Sequence, residues 1–246
     1  MNKIIIANLK MNFDALQTSK YLKELSQEEY VNKIVVFPSV SNLFLSTLYD
    51  KNENIEYGIQ DFYFKDEGSY TGAVNLRMLE GMNVKYALVG HSERRKVFKD
   101  SNATINKKII YALNNGVTPI LCIGESLGQT RNNLYKSHLK RQISLALRGV
   151  KVDDINKIII AYEPDYTVGE ESGITIERIE ENIKLIKDAI QSKSVKTVLT
   201  PKILFGGNIT TKTYKQFLDN EFVDGVLVGR EALEVENIIK MGQDNE

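Results

Sequence analysis

Eight short apolar runs, separated by longer polar segments, most constrain what this chain of 246 residues can fold into. The runs are continuous stretches rich in Ile, Val and Leu without polar alternation, which is the pattern of parallel strands covered on both faces. They occupy residues 3–8, 33–38, 56–60, 86–90, 119–124, 157–163, 203–207 and 225–229. The sequence therefore predicts eight buried parallel strands.

The polar segments between these runs have the periodicity of amphipathic helices. The clearest example spaces five isoleucines by three and four residues, which gives a helix one apolar stripe: Ile176, Ile179, Ile183, Ile186 and Ile190. Similar stretches occupy about residues 15–25, 102–114, 134–147, 214–218 and 233–241. Strand and helix therefore alternate about every 30 residues, as eight βα units in a barrel require.

Two architectures share this alternation, a closed (β/α)8 barrel and a doubly wound open sheet. The count of eight strands and the lack of a glycine-rich dinucleotide loop after the first run favour the barrel, the TIM-barrel class of α/β fold. No proline-rich, serine-rich or charged linker interrupts the rhythm. The sequence therefore predicts that residues 1–246 form a single barrel domain.

Composition narrows the functional classes. The 32 basic and 32 acidic side chains give a formal net charge of zero, which argues against nucleic acid or an acidic membrane as a partner. The single cysteine, Cys122, permits a reducing compartment and fits a small packing residue better than a reactive thiol. The N-terminal apolar stretch is too short for a signal peptide, and no segment reaches the ~20 apolar residues of a membrane span. We therefore expect a cytoplasmic protein without a membrane partner.

Polar residues follow several runs where the predicted strands end, and a barrel of this kind builds its active site at the C-terminal ends of the strands. The ends of five runs carry such residues: Asn8, Lys10, His91, Glu93, Glu163, Asn208, Gly229 and Arg230. A lone Glu there is usually an ordinary solvated carboxylate, but a Glu that shares one barrel face with a His and a Lys indicates acid/base chemistry. The second histidine, His138, lies in a polar helical stretch and is interpreted as a surface residue.

Short motifs occur at these positions in a fixed order along nearly the whole chain. They read NLKMN, GIQDFYF, YTG, LVGHSERR, CIGES, AYEP, GGN and LVG. In this combination the sequence resembles the triosephosphate isomerase family. The resemblance implies an isomerase of glycolysis and gluconeogenesis that interconverts D-glyceraldehyde 3-phosphate and dihydroxyacetone phosphate through an enediolate.

The resemblance assigns five residues to catalysis. Glu163 is the implied base, which moves a proton between adjacent substrate carbons, and His91 is a neutral electrophile at the substrate oxygens. Lys10 supplies a positive charge to the enediolate and the phosphate, and Asn8 forms hydrogen bonds beside it. Glu93 completes the set. The resemblance implies no metal and no organic cofactor, and the segment SERRKVF after the histidine can begin a helix.

The resemblance also implies a phosphate site and a lid. The phosphate is expected to bind backbone N–H groups where the chain permits close approach, at Gly169, Asn208, Gly229 and Arg230. Residues 164–175 match the family's lid, which closes over the substrate and excludes water from the enediolate. Leu227 matches an apolar residue that packs against the base.

Several positions depart from the family pattern, mainly around the lid and the phosphate site. The first hinge of the lid, usually an apolar residue followed by tryptophan, is Asp165 and Tyr166, and the lid tip contains Glu170 and Glu171. The usual second glycine after the eighth run is Arg230, whose guanidinium can make bidentate contacts with a phosphate. Isomerases of four-carbon erythrulose phosphates resemble this sequence in having Gly-Arg there and a Gly-Glu lid tip. They are the alternative within the same reaction class.

The family usually forms a homodimer in which the third loop inserts beside the neighbour's active site. Gln60 and Thr71 fit that loop. An acidic residue that normally follows the threonine by two positions is replaced by Ala73, so a charge pair between subunits at Arg94 is expected to be absent. The resemblance thus implies a homodimer that lacks one of its usual ion pairs.

Two other functional classes remain open at this point. The altered lid fits a catalytically weak barrel that binds a phosphorylated ligand without turning it over. An aldolase or lyase that uses Lys10 to form a Schiff base is the third possibility, and it conflicts with the resemblance.

Overall fold

The computed structural model describes residues 2–49, 51–167 and 174–244. Within these ranges, parallel strands close into a barrel in chain order, and the last strand pairs with the first through Ile4–Ala7 and Gly225–Val228. The strands are β1 (Ile4–Asn8), β2 (Lys33–Phe37), β3 (Ile55–Ile59), β4 (Val84–Val89), β5 (Thr118–Ile123), β6 (Ile159–Tyr162), β7 (Ile203–Phe205) and β8 (Gly225–Val228). The closed order confirms the predicted (β/α)8 barrel and excludes the open sheet.

Helices connect the strands and cover the outside of the barrel. They are α1 (Ala15–Ser26), α2 (Ser92–Lys96), α3 (Asn102–Asn114), α4 (Leu127–Arg131), α5 (Tyr135–Ala146), α6 (Val152–Ile155), α7 (Ile176–Gln191), α8 (Lys215–Leu218) and α9 (Val235–Gln243). The predicted isoleucine stripe lies on α7, where Ile179, Ile183, Ile186 and Ile190 are buried. None of the helices in the described ranges is both long enough and apolar enough to cross a membrane.

The connections after β2 and β3 differ from the others because their described residues form 3-10 helices, Val40–Leu48 and Arg77–Leu79, and no α-helix. Val40–Leu48 combines buried Leu43 and Leu45 with exposed Phe44 and Leu48, so its apolar side chains face both the core and the surface. A third 3-10 helix, Arg230–Leu233, follows β8. These short elements place polar and apolar side chains at the rim of the barrel.

Alternate strand residues fill the inside of the barrel, including Ile4 and Ile6 from β1 and Ile159 and Ala161 from β6. Side chains two positions apart on a strand point to the same face. Asn8 and Glu163 continue these two inward series at the C-terminal ends of their strands. Cys122 is buried in the same interior cluster, in agreement with its interpretation as a packing residue.

The opposite end of the barrel is closed by a charged cluster around Glu56. Its carboxylate accepts hydrogen bonds from Lys33 at 2.9 Å, Lys85 at 2.8 Å and the Tyr86 hydroxyl at 2.7 Å. Burial alone raises the pKa of Glu56, but the hydrogen bonds from Lys85, Tyr86 and Lys33 outweigh it and lower that pKa to about 2. This cluster is structural and leaves the C-terminal face of the barrel for function.

Candidate active site

A cavity of about 230 Å³ opens at the C-terminal ends of the strands. Six residues singled out in the sequence line it: Lys10, His91, Glu163, Asn208, Gly229 and Arg230. Leu227 also lines it, as expected for an apolar neighbour of Glu163. Residues from five different strand ends therefore meet in one small space.

Lys10 is held at the cavity by contacts on both sides of its backbone. It has a left-handed backbone with φ of 52°, which is uncommon for a residue other than glycine. Its N–H donates to Asn8 Oδ1 at 3.1 Å, and its carbonyl accepts from Gln60 Nε2 at 2.8 Å. Its ammonium lies 2.7 Å from Glu93 Oε1. The loop therefore carries a positive charge in a fixed position at the mouth of the barrel.

His91 caps the N-terminus of α2, and its ring is nearly buried. Its Nδ1 accepts the backbone N–H of Glu93 at 3.3 Å, so this nitrogen carries the lone pair and the proton of the neutral ring is on Nε2. Nε2 lies 3.5 Å from Glu163 Oε1. The helix start thus selects the tautomer that presents an N–H to the cavity.

Glu163 follows β6, and its side chain is only 4% exposed. Burial raises the pKa of this carboxyl, and the nearby Asp165 adds to the effect, whereas His91, the backbone N–H of Ser92 and the charge of Lys10 lower it. The net shift of the pKa is upward. A buried carboxylate with a raised pKa, beside a cation and an imidazole, is suited to accept a proton.

Two glycines leave the space that Glu163 occupies. A Cβ atom on Gly206 would lie 2.7 Å from Glu163 Cγ, which is closer than real Cβ contacts allow. A Cβ atom on Gly124 would lie 1.8 Å from the Glu163 carbonyl oxygen. These glycines are needed because the backbone approaches Glu163 closely, whatever their own conformation.

Asn8 and Glu93 act on the cavity through Lys10. Asn8 is buried behind the loop and fixes the Lys10 backbone. Burial raises the pKa of Glu93, but the hydrogen bond from Lys10 and the electrostatic influence of His91 and Lys10 lower it more, so the net shift is downward. The carboxylate of Glu93 is therefore ionised at neutral pH and balances the lysine.

The expected phosphate site is described in part. Gly229 precedes the 3-10 helix Arg230–Leu233, and a Cβ atom on this glycine would lie 3.7 Å from Lys10 Nζ. The Arg230 side chain is exposed at the rim of the cavity. Gly169, with the lid-tip residues Glu170 and Glu171, lies outside the described residues.

Three residues that line the cavity were not predicted from the sequence: Asn12, Ile209 and Leu233. Asn12 belongs to the NLKMN motif, and its side chain donates to the Leu9 carbonyl at 2.8 Å, so the motif itself was the available signal. Ile209 and Leu233 are apolar and follow the GGN and LVG motifs, and an apolar residue at such a position does not by itself indicate a binding site.

A second cavity of about 460 Å³ lies on the other side of Glu163 and is called the rear cavity here. Its walls include Arg95, Lys96, Asp165 and His138. The interpretation of His138 as a surface residue was wrong in part, because His138 is half-buried and its Nδ1 lies 2.8 Å from Gln129 Nε2. The polarity of this helical stretch does not reveal that α5 faces the rear cavity.

Arg94 has carboxylate partners within its own chain. Its guanidinium lies 3.0 Å from Asp61 and 3.4 Å from Asp100. The buried Lys108 bridges the same two carboxylates at 2.5 Å and 2.8 Å. Position 73, where the family usually has an acidic residue, is Ala73 in this chain. Arg94 instead pairs with carboxylates of its own chain.

Comparison with known proteins identifies the family of the chain. A family model described as triosephosphate isomerase matches residues 3–244. A protein of Francisella tularensis subsp. mediasiatica named triosephosphate isomerase is 34% identical over 236 residues, which cover 95% of this chain and 93% of that protein. A protein of the same name from Clostridium tetani is 34% identical over 94% of this chain and 91% of that protein. Another from Clostridium botulinum is 34% identical over 95% of this chain and 96% of that protein. The chain therefore belongs to the triosephosphate isomerase family.

Proposed function

We propose that this protein is a triose-phosphate isomerase that interconverts D-glyceraldehyde 3-phosphate and dihydroxyacetone phosphate. The observation that carries the proposal is the placement of Glu163 3.5 Å from His91 Nε2 in a cavity also lined by Lys10. The names of the relatives support the same reaction. An aldose-ketose isomerisation needs one base, one donor at the oxygens and a charge that stabilises the enediolate.

In the proposed mechanism Glu163 removes a proton from the carbon next to the substrate carbonyl. The electrons of that C–H bond form the carbon–carbon double bond of an enediolate, and the carbonyl oxygen takes the negative charge. Glu163 then returns the proton to the former carbonyl carbon. The hydroxyl proton on the adjacent oxygen passes, by way of His91, to the former carbonyl oxygen, so that the hydroxyl and the carbonyl exchange places. Substrate and product are isomers, so no group is lost and no oxidant or reductant is required.

His91 and Lys10 act on the oxygens in this mechanism. The Nε2–H of the neutral imidazole donates to the substrate oxygens, since Nδ1 is occupied by the Glu93 N–H. The Lys10 ammonium stabilises the enediolate and the phosphate by charge. Both groups are fixed before substrate arrives, which is the condition under which electrostatic stabilisation is most effective.

The phosphate is proposed to bind where the loops after β7 and β8 face Lys10. Asn208, Gly229 and Arg230 line this part of the cavity, and Gly229 stands next to the lysine. Backbone N–H groups at such a turn bind phosphate well. Gly169 completes the proposed site as in the family, from outside the described residues.

A homodimer is also proposed, with residues 1–246 as one domain in each subunit. Among the described residues, nine of the thirteen exposed large hydrophobic side chains lie between residues 11 and 98. They belong to the connections after β1, β2, β3 and β4, so one side of the molecule carries most of the exposed apolar surface. Exposed apolar surface concentrated in this way supports the proposal of a protein interface there. Residence in the cytoplasm and a role in glycolysis and gluconeogenesis belong to the same proposal.

The alternative substrate is a four-carbon ketose phosphate. Arg230 favours it, because a guanidinium at the rim of the cavity can contact a phosphate that a longer chain places farther out. A catalytically weak barrel that only binds a phosphorylated ligand is the remaining alternative.

The deciding experiment compares kcat/KM for glyceraldehyde 3-phosphate and erythrulose 1-phosphate on the same preparation, because specificity is the ratio of these constants. We expect the triose phosphate to be the better substrate by at least about tenfold, and Arg230→Gly to leave that order unchanged. Faster turnover of the tetrulose phosphate, reversed by Arg230→Gly, would establish the alternative substrate. Binding of both compounds without turnover of either would leave only the binding barrel.

A further inference from the structure

We propose that Lys96 and Asp165 form a positioning pair that holds the Glu163 base at its distance from His91 and sets the charge next to that base. The inference rests on the proposed function, because it concerns the same two groups. Lys96 Nζ lies 3.0 Å from Asp165 Oδ2. Neither residue lines the 230 Å³ cavity, so the pair acts from outside the place where substrate is expected.

The pair joins the two elements that carry the reacting groups. Lys96 is the last residue of α2, which His91 caps at its other end. Asp165 follows Glu163 by two residues, and its backbone N–H donates to the Glu125 carbonyl at 2.9 Å. The ion pair therefore links α2 to the segment after β6, and in this proposal its loss changes the separation of His91 from Glu163.

The surroundings explain why a polar link is useful at this point. Lys96, Asp165 and Glu163 all line the rear cavity of about 460 Å³, so close packing does not fill the space between α2 and the segment after β6. Arg95 fixes α2 to the barrel by donating to the carbonyls of Gly90 at 2.6 Å and Cys122 at 2.9 Å. The ion pair between Lys96 and Asp165 links α2 to the segment after β6 in the same way.

The same pair adjusts the field at the base. The groups that act electrostatically on Glu163 are His91, Lys10, Arg95, Cys122 and Asp165. Asp165 raises the pKa of Glu163, and the ammonium of Lys96 at 3.0 Å offsets that negative charge. The first hinge residue in this family is usually apolar, so a carboxylate at position 165 introduces a charge that needs this partner.

The pair contributes little to folding stability, because the side chains of Lys96 and Asp165 are 58% and 20% exposed. Its effect is therefore expected in function and in the titration of Glu163. This separates a positioning role from a merely structural one.

The test uses Lys96→Met, Asp165→Asn and the double variant, with Lys20→Met as the matched control. Lys20 forms a similar exposed ion pair with Glu24 on α1, away from the cavity. Glutamate labelled with ¹³C at the side-chain carboxyl gives the pKa of Glu163 by NMR titration, and Glu163→Gln assigns its signal. The pH profile of kcat/KM and the separate values of kcat and KM are measured on the same proteins.

We expect Lys96→Met to raise the pKa of Glu163 by about half a pH unit, because one screened charge at short range has an effect of this size. We also expect it to lower kcat severalfold with little change in KM. Asp165→Asn should lower that pKa, the double variant should return it near the wild-type value, and Lys96→Arg should restore kcat. Unchanged pKa and kcat in Lys96→Met, or a double variant no closer to wild type than Lys96→Met, would overturn the inference. If the wild-type protein did not turn over triose phosphate, the proposed function would be refuted. The NMR titration would still show whether Lys96 and Asp165 change the pKa of Glu163, so the two failures are distinguishable.

Discussion

At the scale of single residues, the space around Glu163 is the most restrictive feature of the candidate site. Its side chain lies against the backbone of Gly206, and its carbonyl lies against Gly124. A cavity that positions a base within a few tenths of an ångström is sensitive to small displacements. Glycines that look like simple turn residues in the sequence therefore have a direct geometric role.

Gly206→Ala is expected to displace Glu163, because its new Cβ atom would lie 2.7 Å from Glu163 Cγ. We expect kcat/KM for triose phosphate to fall by about 10²-fold, the cost of a misplacement near 1 Å. Gly128→Ala is the control, since its Cβ atom would meet only Ser126 Oγ at 3.9 Å. Equal activity of both variants would contradict the proposed role of this contact.

Glu56→Gln tests the charged cluster at the other end of the barrel. The folded-state pKa of Glu56 is about 2, below the ordinary value of 4.5, so the carboxylate stabilises the fold above pH 4.5 and loses this effect as pH falls through about 2. We expect Glu56→Gln to lower the free energy of unfolding by about 1–2 kcal/mol at pH 7, allowing for solvent screening. Urea unfolding between pH 7 and pH 3 should show the two proteins converging. A difference independent of pH would refute the assignment.

At the scale of elements, the sequence predicted the strands and long helices well, because their apolar periodicity is what buries them. The Ile176 to Ile190 stripe and the eight runs are examples. The 3-10 helix Val40–Leu48 was not predictable in this way, since its apolar residues face both the core and the surface. The Lys96–Asp165 and Arg94–Asp61 pairs were also out of reach, because they join segments far apart in sequence.

Lys108 forms ion pairs with Asp61, which follows β3, and with Asp100, which follows β4. It therefore links the segments that follow these two strands. Its side chain is 3% exposed, so Lys108→Met leaves the two carboxylates without their buried partner. We expect a loss of about 3 kcal/mol in the free energy of unfolding, as for a broken buried ion pair. Lys107→Met, at the exposed neighbouring position, should change it by less than about 0.5 kcal/mol. Similar values for the two variants would show that the network contributes little.

At the scale of the whole molecule, the uneven distribution of exposed apolar side chains supports the proposed homodimer. We expect the protein to sediment as a dimer and Met78→Lys to shift it toward the monomer, because Met78 is 60% exposed within the apolar region. Val198→Lys is the control, since Val198 is 73% exposed outside that region. Sedimentation velocity over a range of concentrations gives the result, and a monomer at every concentration in the unchanged protein would contradict the proposal.

The central claim is that Glu163 is the base of an aldose-ketose isomerase. The most direct measurement is kcat for glyceraldehyde 3-phosphate in Glu163→Gln beside the unchanged protein, with thermal unfolding to show that both are folded. The substitution keeps the size of the side chain and removes its ability to accept a proton, so we expect kcat to fall by about 10²–10⁴-fold. A folded Glu163→Gln variant with unchanged kcat would contradict the claim.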